Sequence, residues 1–335
     1  DVRCDAGAAV AQMGVAVIRH YMRVLAEDGL APEAARRRVA QRVFRIVLDD
    51  FLPRILDPRV ARRLRYPGPG GLRRLVAPGR AAPGAPFLPP IEFSAAVFRF
   101  GHSLVRKVYA WNGKFGGSDV GAFLERTGVG GVLPEGRLSE DWAIDWNRML
   151  LRDPERAPNH AAAINFEISD RLMTLEAGFF EGEEGYRPLN LARETLMRAR
   201  TLALPSAQTL LPQVSEAFDP AWRDTARPLA PDEISAVPDP ALRAALLDET
   251  GGPSAAERTP LWLYTLAEAV QVHGGQRLGP FASLIVLETL HGAIAHSRHA
   301  AGFDFRQSAP GWTLGRFLDF AAGFVPAPER TTTEA

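Results

Sequence analysis

Apolar residues in this chain recur at three- and four-residue steps, and prolines stand where one such run ends and the next begins. That spacing admits amphipathic helices and leaves little room for a sheet. Val10, Met13, Val17, Tyr21 and Val24 mark one helical face. A second helix is expected after Pro32, with Glu33 at the positive end of its dipole. Its apolar side runs through Val39, Val43, Ile46, Val47 and Phe51, and Pro53 is expected to end it. Further helices are expected over 91–109, 189–201, 231–247, 260–272, 280–296 and 313–322, several opening on proline. No alternating run is long enough for a sheet strand, and no fixed-period repeat is present. The fold class is all-α.

With 46% hydrophobic residues over 335 positions, the chain can bury a substantial core. Positive and negative side chains number 39 each, which gives no charge-based reason to expect nucleic acid as a partner. No apolar run approaches the roughly 20 residues of a bilayer span. The single cysteine, Cys4, excludes a disulfide within the chain and any multi-cysteine zinc or iron–sulfur site. Compartment stays open between cytoplasm and secretion. The first residue is Asp1, and the chain is expected to be a portion of something longer. Glycine and proline crowd 66–90, which reads either as a linker or as a surface excursion within one domain; a second glycine-rich loop covers 112–136. One helical domain is expected over 1–328, with a disordered tail at 329–335.

The most informative stretch is Glu92-Phe93-Ser94-Ala95-Ala96-Val97-Phe98-Arg99-Phe100-Gly101-His102-Ser103-Leu104-Val105. Read as one buried helix, it sets Ala95, Phe98 and Val105 on the face of His102, and Gly101 removes a side chain beside it. From the residues alone, His102 is either a hydrogen-bonded core histidine or a ligand, and Gly101 serves either a bulky group or helix packing.

Phe-Arg-Phe-Gly-His-Ser-Leu-Val resembles the proximal helix of the animal-type haem peroxidase superfamily, especially its bacterial members. Leu196-Met197-Arg198-Ala199-Arg200-Thr201-Leu202-Ala203-Leu204-Pro205-Ser206 is similar to a later helix of that family. Phe51-Leu52-Pro53-Arg54-Ile55, Asp141-Trp142-Ala143-Ile144-Asp145-Trp146, Thr259-Pro260-Leu261-Trp262 and His273-Gly274-Gly275-Gln276-Arg277-Leu278-Gly279-Pro280 are also family-like, all in order. The resemblance implies the family's helical fold without its N-terminal distal-histidine segment. It implies haem b as cofactor, His102 as axial iron ligand, and Arg99 and Arg198 on the haem propionates. Thr195 stands where the family commonly has an asparagine that accepts a hydrogen bond from the axial histidine.

On the distal side, Asp1-Val2-Arg3-Cys4-Asp5 is similar to the family's short Asp-x-Arg motif, which would make Arg3 the distal catalytic arginine; the other reading is a solvated terminal arginine. Ala6 stands where some members carry an ester-forming glutamate. No histidine precedes His20, so the family's distal histidine is absent from this chain. The implied activity is reduction of hydrogen peroxide with oxidation of a small organic or halide electron donor. A degenerate module without catalysis is the alternative. A haem fatty-acid dioxygenase is disfavoured, because those relatives carry a tyrosine where this chain has Arg99.

The remaining histidines are expected to be structural. His291, His296 and His299 read as a solvated helix end, His273 as a helix C-terminus, and His20 and His160 as residues without chemical partners. Arg36-Arg37-Arg38 reads as a helix's polar face and 181–184 as an exposed loop.

Overall fold

A computed structural model of the chain describes residues 8–64, 87–124, 140–150, 159–174, 190–217, 227–305 and 311–322. Arg3, Cys4, most of 66–90, the 181–184 run and the 329–335 tail lie outside them.

Two helices form the centre, α13 (Leu261–His273) and α14 (Pro280–Ala295). Both are apolar on nearly every side, a pattern stable only where a helix is surrounded by protein. Ten successive residues of α14, Pro280 to Thr289, are buried. Their polar members are satisfied locally: Thr265 and Thr289 donate back to the carbonyls of Leu261 and Ile285, each at 2.8 Å. Tyr264 accepts the Leu229 amide at 3.0 Å.

The turn between these helices is set by one carboxyl. Glu268, fully buried on α13, accepts the amides of Phe281 (3.0 Å) and Ala282 (3.2 Å) in the first turn of α14. Burial pushes its pKa up to about 7, against the opposing pull of those two amides. Gly279 makes this possible, because a Cβ there would lie 2.1 Å from the Glu268 Cγ.

Around this pair pack α3 (Leu52–Ile55), α4 (Pro58–Leu64), α5 (Ile91–Ala95), α9 (Leu191–Thr201) and α10 (Ala207–Ala217). Asp57, wholly buried, caps α4 through the amides of Arg59 (2.7 Å) and Val60 (3.2 Å). It also takes a 2.9 Å bond from His273 Nε2, so the histidine expected only at a helix C-terminus also ties α13 to α4. Left-handed Gly274 (φ 58°) ends α13 there.

A second cluster joins α1 (Ala8–Asp28), α2 (Pro32–Arg45) and α15 (Leu314–Ala322). Its buried line on α1 is Ala16, His20 and Val24, while Val17 is 36% exposed, so the helix is turned from the face read off the sequence. His20 is fully buried and far from partnerless. Its Nδ1–H donates to the Phe317 carbonyl (3.2 Å), Arg42 Nη1 donates to its Nε2 (2.8 Å), and its ring stacks on Phe317 at 3.9 Å. Both nitrogens are thus spoken for only in the neutral ring, and burial holds its pKa down at about 4.

Pro53 does not end the second helix. A π-helical segment, Ile46–Phe51, follows α2, and the Leu52 amide reaches back to Val47, so the wider turn admits Pro53 as the second residue of α3. The 231–247 helix is two pieces, α11 (Pro231–Ile234) and α12 (Pro240–Leu247), with Pro238 between them. A two-residue ladder pairs β1 (Val108–Tyr109) with β2 (Ser118–Asp119), inside regions read as helix and loop. Arg36, Arg37 and Arg38 form an exposed helix face as expected. Among the described residues no helix is long and apolar enough to cross a membrane.

Two outcomes test these packings. Gly279→Ala should destabilise the fold by about 3 kcal/mol or more, read from urea unfolding, because Glu268 must leave its pocket; a loss under about 1 kcal/mol would contradict the contact. Neutral His20 stabilises above pH 6.5, and that contribution is lost as pH falls toward 4. The stability advantage of wild type over His20→Asn should therefore shrink steadily from pH 7 to pH 4.5, and a constant gap would refute it.

Candidate functional site

The stretch expected as one helix over 91–109 is short and irregular. α5 stops at Ala95, Ala96 leaves the helical region (φ −134°, ψ −75°), and Val97–His102 form a 3-10 helix. The sequence explains the change of pitch. Val97, Phe100 and Ser103 are all buried, and side chains three apart eclipse one another at three residues per turn. By the same spacing Arg99, not Phe98, shares an edge with His102. Phe98 turns away, 39% exposed, and stacks on Phe93 at 4.6 Å. The wall of Ala95, Phe98 and Val105 read from α-helical spacing is therefore not formed.

Two bonds lock this turn. The Ser103 hydroxyl donates to the Phe100 carbonyl (2.7 Å), and Trp262 Nε1 on α13 donates to the Arg99 carbonyl (3.2 Å). The sequence reading missed Trp262 as a support of this segment.

His102 is half-buried, and its Nδ1 is enclosed without a hydrogen-bond partner. Burial, helped by the Arg99 charge, lowers its pKa and keeps the imidazole neutral at pH 7. Thr195, the expected proximal acceptor, is buried on α9, but its hydroxyl donates to the Leu191 carbonyl at 2.7 Å and makes no bond to His102. Among the described residues a Cβ on Gly101 would meet nothing within 4 Å, so none of them packs closely on this glycine and the space beside His102 is open.

Arg99 carries a buried, unpartnered Nε. Burial and the nearby Arg198 charge both lower its pKa. Arg198 comes from α9 and is exposed, so its charge reaches Arg99 from a separate element, and neither guanidinium pairs with a described carboxylate. Arg99 and the exposed Arg198 thus add positive charge on one side of His102, which suits an anionic group there.

These features fit haem in three respects: a neutral imidazole with no competing protein ligand, open space beside it, and two arginines suited to propionates. The fit is incomplete at Nδ1, where no acceptor is seated. No group of three or more His, Cys, Asp or Glu among the described residues could hold a metal ion, which does not bear on a single axial ligand.

His291 departs from the solvated helix end expected of it. It stacks on Phe305 at 4.3 Å, its Nε2 is enclosed without a partner, and burial lowers its pKa to about 4. His296 remains exposed and bonds the Gly292 carbonyl. No protein-family model matches the chain, and no curated protein matches it significantly.

By NMR, His102 should titrate below 6.5, and Arg99→Gln should raise its pKa without restoring 6.5, since burial is the larger cause. An unchanged value in the variant would remove Arg99 from the site.

Proposed function

We propose that the chain is the haem-ligating part of an animal-type haem peroxidase, with His102 as axial ligand to haem b. The observation that carries this reading is the enclosed, partner-free Nδ1 of His102, with the charges of Arg99 and Arg198 nearby and neither paired with a described carboxylate. The ordered set of family-like motifs supports it independently.

Bound haem supplies the iron centre at which a peroxidase cleaves hydrogen peroxide and oxidises a small organic or halide donor. The chain's own residues have narrower tasks. His102 offers an imidazole nitrogen kept unprotonated by burial, so no proton competes with the metal at pH 7. Arg99 and Arg198 set fixed positive charge for two carboxylates, and the Trp262 bond holds the Arg99 backbone in register. A hydrogen bond from the other imidazole nitrogen would strengthen the ligand. Thr195 keeps acceptor capacity for it, because its bond to Leu191 uses only the hydroxyl proton. Arg3 is assigned to the distal side on the motif alone.

One observation favours a second reading, a degenerate module without catalysis: His102 Nδ1 has no acceptor and Thr195 is not engaged with it. Reconstitution with haem separates the two. A histidine-ligated Soret band should appear with the wild-type chain and vanish in a folded His102→Ala variant. Arg198→Ala should weaken uptake several-fold while keeping that band. No specific uptake by a folded chain, or the same spectrum in His102→Ala, overturns the assignment.

A further inference from the structure

A cleft of about 1140 Å³ opens beside the His102 segment, between Ser103–Lys107, the 162–173 stretch, α9, the start of α12 and α13. His102 itself does not line it. The volume exceeds the roughly 300–1,000 Å³ of ordinary small-ligand sites. Its floor is apolar and continuous with the main core: Leu196, Leu263, Phe166 and Ile168 pack directly on the buried cluster, and Trp262 and Leu266 belong to it.

Most of the polar groups on its rim are engaged within the protein. Lys107 pairs with Asp170 at 3.4 Å, and Asp239 caps α12 through the Ala241 amide at 2.8 Å. Arg106 Nη1 donates to the His160 carbonyl at 3.2 Å, and Ser103 is held by Phe100. Glu167 adds a further negative charge, so the two cations on the lining are outnumbered by three carboxylates. That balance gives an anionic ligand no advantage. One lining atom stands out: the Ser169 hydroxyl, at the start of α8 (Asp170–Met173), is enclosed and makes no hydrogen bond. Ser169 precedes the helix yet does not cap it, which leaves its oxygen for something in the cleft.

We propose that this cleft binds a neutral, largely apolar organic molecule that bonds Ser169 through a single polar group. This goes beyond the haem reading and needs no iron. The binding energy comes from apolar area removed from water along Leu196, Trp262, Leu263 and Phe166, and the hydroxyl supplies orientation.

The test uses the haem-free 335-residue chain and N-phenyl-1-naphthylamine, a neutral fluorophore with one N–H, followed by dye emission and by tryptophan quenching. One saturable site is expected. Ala192→Trp, which fills the cleft from α9, should weaken binding by roughly tenfold or more, and Ser169→Ala several-fold. The sulfonate analogue 8-anilinonaphthalene-1-sulfonate should bind more weakly than the neutral dye. No saturable binding overturns the proposal. So does equal affinity in an Ala192→Trp chain that melts like wild type, or a sulfonate that binds as tightly. Should Ala192→Trp fail to fold, unchanged affinity in Ser169→Ala is decisive against it. Failure of haem uptake leaves each of these readouts unaffected.

Discussion

A carboxyl group inside the protein organises the fold. Helices α13 and α14 are too apolar to exist except against each other and their neighbours, and their connection must satisfy the open amides at the start of α14 where water has no access. Glu268 does this from the preceding helix, through the volume that Gly279 leaves vacant. Once the pair is set, the backbone of Leu278 bonds Ile55 and Ser283 receives Asp57, so α3 and α4 are placed by the same turn. The His102 segment is placed from α13 as well, through Trp262.

The site differs from the core in what it leaves unsatisfied. In the central helices the buried threonines find a carbonyl within one turn, and the Tyr264 hydroxyl takes the Leu229 amide. Around His102 the imidazole Nδ1 and the Arg99 Nε are enclosed without partners, and the charge of exposed Arg198 bears on Arg99. An enclosed polar atom left alone costs about 1–3 kcal/mol, and the Ser169 hydroxyl and His291 Nε2 carry the same deficit.

Much of the fold was legible in the chain, for reasons that also explain the misreadings. α13 and α14 announce themselves by length, apolarity and a proline start, signals wholly contained in their own residues. The 97–102 turn does not, because over six residues a three-residue and a 3.6-residue period are nearly the same pattern, and only the burial of Val97, Phe100 and Ser103 together separates them. Pro53 misled because the π-helical segment that accommodates it has no sequence signature here. His20 read as partnerless since its partners arrive from other helices. Arg198 entered through resemblance alone, while the cleft and Ser169 could not be read at all, being assembled from segments far apart in the chain.

The fastening of α1 by α15 has a consequence for how the molecule is made. The His20 bond to Phe317 spans 297 residues. A ribosome releases α1 nearly 300 residues before α15, so α1 must wait, its aromatic-binding face uncovered, while the central pair is already able to assemble. Among the described residues that seam closes the longest loop, and so carries the largest loop-entropy cost. While it waits, that apolar face is open to a chaperone or to a neighbouring nascent chain.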